Sequence, residues 1–77
     1  MKYKTKGVCS QMIDIEMDGD VVKSVSFTGG CHGNLQGIGK LVEGMKKEDV
    51  IAKLEGIRCG YKATSCPDQL AQALKSL

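Results

Sequence analysis

Tryptophan is absent from these 77 residues, and phenylalanine, proline and histidine each occur once. With two tyrosines as the only other aromatic residues, the chain has no platform on which bases stack. A lone histidine with no recognisable acid partner gives no nucleophilic triad, which argues against a hydrolase or transferase. No apolar run approaches the length that spans a bilayer, and no stretch combines the basic start, apolar run and small-residue cleavage site of a signal peptide. The formal charge of +2 is close to balanced and does not point to nucleic acid. These absences predict a cytoplasmic protein with neither nucleic acid nor membrane as partner.

Cysteine, by contrast, is plentiful for the size: Cys9, Cys31, Cys59 and Cys66. A chain this short is a single domain, residues 1–77, whose apolar core leaves only a few kcal/mol of stability, so an added staple is welcome. In a reducing cytosol a cysteine set binds metal or does redox work more often than it forms structural disulfides.

The first 30 residues read as strands. In "QMIDIEM", Ile13, Ile15 and Met17 alternate with Asp14 and Glu16. Asp18-Gly19-Asp20 is hairpin chemistry, and "VVKSVSF" resumes the alternation with Val21, Val25 and Phe27 on one side. "YKTKGV" supplies a third strand, and the alternation of Lys2, Lys4 and Lys6 puts the three on one face of a strand, where they keep an edge soluble. The period then changes. Leu35, Ile38, Leu41, Val42 and Met45 have the three-and-four spacing of an amphipathic helix that Gly44 ends. Gly33, Gly37 and Gly39 each weaken that helix by up to about 1 kcal/mol, which suggests close packing or close approach of a ligand. Val50, Ile51 and Leu54 mark a second short helix stopped by Gly56, and a third covers Pro67 to Ser76, burying Leu70, Ala71, Leu74 and Leu77. Strands followed by helices predict an α+β domain, with about three antiparallel strands and about three helices packed on one face.

On this frame Cys31 opens the first helix and Cys66 the last. Pro67 suits the first helical position, which makes Cys66 the N-cap; Ser65, with Asp68 three residues on, is a rival capping box that shifts the cap by one. In either arrangement a sulfur is expected to face open backbone N–H groups, which favour thiolate over thiol. The four cysteines are not two close pairs of the zinc-ribbon kind, so a site must be assembled by the fold. Four cysteines with two at helix starts point to metal ligation or redox function, whereas Cys9 alone reads as a small buried hydrophobe. His32 is either a further ligand or a solvated first-turn residue. "GGCHGN" has neither a Walker lysine nor a dinucleotide fingerprint.

Residues 64 to 68 spell Thr-Ser-Cys-Pro-Asp, and with "GGCHGNLQGIGKLVEGM" and "IRCGYKATSCPDQLAQAL" the chain resembles the TSCPD domain family over nearly its whole length. Members of that family occur as small stand-alone proteins and as the C-terminal part of vitamin B12-dependent ribonucleotide reductases. The resemblance implies cysteines that bind metal and an association with ribonucleotide reduction, and hence DNA synthesis. It does not imply a reductase, because 77 residues cannot supply the catalytic barrel.

The order "GVCSQMIDIEMDGDVVKSVSFTGGC", then a helix ending in glycine and a late cysteine opening the final helix, is similar to the U-type iron-sulfur cluster assembly scaffold. That similarity matches Cys9, Cys31 and Cys66 to the scaffold's three cluster-binding cysteines. Gln11 stands where the scaffold has aspartate, Ser65 where it often has histidine, and Cys59 is additional. The leading expectation is therefore a closed site in which Cys9, Cys31, Cys59 and Cys66, with His32 as a substitute ligand, hold one Zn²⁺. Its expected partner is a ribonucleotide reductase or related nucleotide enzyme. An iron-sulfur scaffold or carrier is the alternative, and a Cys59/Cys66 dithiol the third reading.

Overall fold

The computed structural model describes residues 1–8, 10–30 and 32–77, with Ser10 and His32 described by backbone alone. The described residues form β1 (Lys2–Lys4), β2 (Ser10–Asp18) and β3 (Val21–Gly29), followed by α1 (His32–Val42), α2 (Lys47–Leu54) and α3 (Cys66–Lys75). The strands make one antiparallel sheet in the order β1-β2-β3, so the architecture is the α+β arrangement that the change of period predicts.

The hairpin closes where Asp18 pairs with Val21. Gly19 takes φ +63° and no described non-glycine residue has a positive φ, which is the glycine-first arrangement of a type II′ turn. Ile13 and Ile15 are buried while Asp14 and Glu16 are exposed, as the alternation requires. A bulge breaks the register after Glu16: that residue pairs with Ser24, and Met17 pairs with Val22. Val22 thereby joins the core, and its backbone also binds the connection after α1, with its N–H on the Met45 carbonyl and its carbonyl on the Gly44 N–H, each at 2.8 Å. The first strand is shorter than "YKTKGV" predicts. It ends at Lys4, the chain turns at Gly7 (φ +72°), and the Lys6 amide leaves the sheet for the Gln69 side chain.

In α1, Leu35 and Val42 are buried and Ile38 half-buried, but Leu41, expected on the same face, is 78 % exposed. It sits about 100° round the helix from Val42, past the edge of the buried stripe. Of the three helix glycines, Gly39 has a packing role: a Cβ there would lie 2.7 Å from the Val25 carbonyl oxygen of β3. A Cβ on Gly37 would meet nothing within 4 Å. Gly39→Ala is therefore expected to cost about 1–2 kcal/mol despite alanine's better helix propensity, and Gly37→Ala to gain about 0.5–1 kcal/mol. Urea unfolding of the two variants checks the opposite signs.

Helix α2 stops before Gly56 (φ +86°), as expected. Helix α3 is the centre of the core: Leu70, Ala71, Ala73 and Leu74 are fully buried, with Leu70, Ala73 and Leu74 clustering with Ile13, Ile15, Val22, Val42 and Val50. Leu77, expected in that core, lies beyond the Ser76 C-cap and is 47 % exposed.

Candidate functional site

The TSCPD stretch builds one end of the domain. Ser65 is the N-cap of α3, with extended backbone, and its Oγ accepts the Asp68 N–H at 3.1 Å. Of the two cap positions open to the sequence, this selects the serine; Cys66 becomes the first helical residue and Pro67 the second. The expectation of open helix amides facing the Cys66 sulfur is corrected for the residues that follow it. Pro67 has no N–H, the Asp68 N–H goes to Ser65 Oγ, and the Gln69 N–H goes to the Ser65 carbonyl at 2.8 Å.

Asp68 does not reach back to the cap as in a capping box. Its Oδ1 accepts the Gly56 N–H at 2.8 Å, with a longer 3.4 Å bond from Gln72 Nε2, and its Oδ2 accepts the Thr64 hydroxyl. Thr64 Oγ1 in turn accepts Gln69 Nε2 at 2.9 Å, while Gln69 Oε1 accepts the Lys6 N–H at 3.1 Å. The Ser65 hydroxyl donates to the Ile57 carbonyl at 2.6 Å. Ser65, Asp68 and Gln69 are all buried, so these bonds replace lost water and tie the start of α3 to the chain after β1 and to the loop after α2. Thr64 and Gln69 were not legible as site residues; the spacing of a threonine and an aspartate on either side of a capping serine is the signal that marks them.

The same loop carries Cys59. Its N–H bonds to the Thr64 carbonyl at 3.2 Å and its carbonyl accepts the Lys62 N–H at 3.1 Å, closing a tight turn through Gly60 at φ +61°. Cys59 is exposed, whereas Cys66 is 7 % exposed. Both line a cavity of about 440 Å³, together with Val8, Asn34, Lys62 and Pro67. Cys9, Cys31 and the His32 side chain lie outside the described residues. Val8 is the chain neighbour of Cys9 and Asn34 follows Cys31 by three residues, while Ser10 pairs with Gly29 in the sheet. Among the described residues no three His, Cys, Asp or Glu side chains group as a metal site, so Cys59 and Cys66 are the members of the expected set that the structure brings together.

The Thr64 hydroxyl, then the Gly56 N–H, hold the Asp68 carboxyl below the usual carboxylate range, with Gln72 and Lys75 adding to them and burial opposing. A depressed carboxyl contributes stability above its unfolded pKa of about 3.9 and loses it as pH falls through the lower folded value. Unfolding free energy is thus expected to fall below about pH 4, and part of that slope to vanish in Asp68→Asn. Urea titrations across pH 2–6 on both proteins check this.

No curated protein and no solved structure matches the chain. No helix among the described residues is long and apolar enough to cross a membrane. The five residues that cap α3 and bind its neighbouring loop are those of the TSCPD domain, whose family model matches residues 1–77, the whole chain, and the protein therefore belongs to the TSCPD domain family.

Proposed function

We propose that this domain is a thiolate metal-binding module in which Cys59 and Cys66, with Cys9 and Cys31, hold one Zn²⁺. The supporting observation is that Cys59, from the loop after α2, and Cys66, at the start of α3, line one cavity with Val8, the chain neighbour of Cys9, and Asn34, three residues after Cys31. The donor chemistry fits: thiolates are soft ligands that select zinc or iron-sulfur clusters over oxygen-seeking cations. Four sulfurs close a tetrahedral zinc site, leaving no open position for a reacting water, so the metal would stabilise the fold rather than catalyse. His32 substitutes for one sulfur in the variant form of this reading. The partner we infer from family resemblance is a ribonucleotide reductase or related nucleotide enzyme, checked by whether added protein raises reductase turnover.

A second reading is iron-sulfur binding by the same thiolates, since thiolate sets accept zinc and clusters alike. Elemental analysis with an absorption spectrum, on protein purified anaerobically without a metal-binding tag, separates the two. Close to one zinc per chain and no visible band is expected, with metal lost in Cys59→Ala and Cys66→Ala. Iron with a visible band moves the protein to cluster chemistry. No bound metal overturns both readings and leaves Cys59 and Cys66 as a dithiol.

A further inference from the structure

The turn that carries Cys59 lies in the longest exposed run among the described residues and is held at its base. Every residue from Ile57 to Ala63 is exposed, and the Tyr61 side chain stands entirely in solvent at the tip. Its base is fixed by the Ser65 hydroxyl on the Ile57 carbonyl, the Cys59 N–H on the Thr64 carbonyl and the Lys62 N–H on the Cys59 carbonyl. Such bonding removes much of the ordering cost that a partner would otherwise meet.

Along the chain the turn itself carries charge of one sign. Arg58 and Lys62 lie on the turn with Cys59, and the Lys6 backbone is tied to Gln69 of α3, whose amide also bonds the Thr64 hydroxyl just beyond the turn. Of the nine carboxylates, Asp14, Glu16, Asp18, Asp20, Glu43, Glu48 and Asp49 lie on the hairpin, the end of α1 and α2. Glu55 is paired with Lys75 at 2.5 Å, and Asp68 is buried in its own bonds. Segments 5–8 and 57–67 therefore present three cations, an exposed tyrosine and an exposed isoleucine, with no carboxylate.

We infer that the Ile57–Lys62 turn is a docking knob for an acidic segment of a protein partner. Tyr61 and Ile57 supply the apolar contact, while Arg58, Lys62 and Lys6 pair with carboxylates. Tyrosine and arginine are the residues that most often dominate interface energy, and charge complementarity selects the partner and speeds encounter. This surface does not depend on the metal reading, because the turn is held by backbone and Ser65 bonds.

The test is a display selection of random 12-residue peptides on the purified protein, with metal content measured on the same sample. The expected result is enrichment of peptides rich in Asp and Glu that carry an apolar residue. Their affinity should fall at least tenfold in Tyr61→Ala and in Arg58→Glu/Lys62→Glu, and fall with added salt. Circular dichroism should find both variants folded, since every altered side chain is exposed. Enrichment of neutral or basic peptides, no enrichment, or equal binding by the variants overturns the proposal. So does tighter binding of a single-stranded oligonucleotide at the same turn, which would assign the cations to phosphate.

Discussion

Cys59→Ser is expected to leave the metal-free domain as stable as the parent, yet to cost about 4 kcal/mol when zinc is present. The asymmetry follows from exposure: Cys59 is exposed, so an oxygen in place of its sulfur disturbs no packing. On the zinc reading, all of its effect then passes through the ion. A thousandfold loss of affinity for a saturating ligand lowers apparent stability by about 4.1 kcal/mol. Cys66 behaves differently, being 7 % exposed at the start of α3, so Cys66→Ser buries a hydroxyl and is expected to cost about 1–2 kcal/mol even without metal. Urea unfolding of both variants with zinc and with a strong chelator gives the four numbers. Equal stability of Cys59→Ser and parent in zinc would remove Cys59 from the ligand set.

The elements were legible because two periods are written plainly into the chain. Period two in "QMIDIEM" and three-and-four spacing from Leu35 onward each follow from one buried face, and the structure buries Ile13, Ile15, Leu35 and Val42 accordingly. Leu41 and Leu77 were misplaced because periodicity places a residue at the border of a stripe or beyond a cap without deciding what covers it. The cap was legible only as a pair of alternatives, since Ser65 and Cys66 are adjacent and either starts a helix before Pro67. Ser65 wins because its hydroxyl makes two bonds at once, to Ile57 and from Asp68. The contact of Gly39 with Val25 and the bond from Lys6 to Gln69 join residues 14 and 63 positions apart. No local pattern encodes partners at such separations. That Cys59 and Cys66 line one cavity was not legible either, because it depends on the turn that the Cys59 amide bond to Thr64 closes.

Asp68→Ala is expected to cost about 1–2 kcal/mol and, on the zinc reading, to weaken metal binding as well without removing any ligand. The stability loss comes from the lost bonds of a buried carboxylate: the Gly56 N–H and the Thr64 hydroxyl both end on it, and because Gly56 is exposed and Thr64 half-buried, water replaces part of what they lose, at about 0.5–1.5 kcal/mol per bond. If Cys59 is a ligand, metal affinity is expected to fall too, because the Gly56 bond anchors the loop that carries Cys59. Thr64→Val keeps the shape and removes one hydroxyl, so about 1–2 kcal/mol is expected from the lost partner of Asp68 Oδ2 and Gln69 Nε2. If Thr64 acts mainly through Asp68, the double variant will lose little more than Asp68→Ala alone, a coupling that a double-mutant cycle reads directly. Competition with a chelator of known affinity supplies the second readout. Unchanged zinc affinity alongside lost stability would make the Thr-Ser-Cys-Pro-Asp bonds a fold device only, whereas a parallel fall in both ties the start of α3 and the Cys59 turn into one ligand-positioning unit.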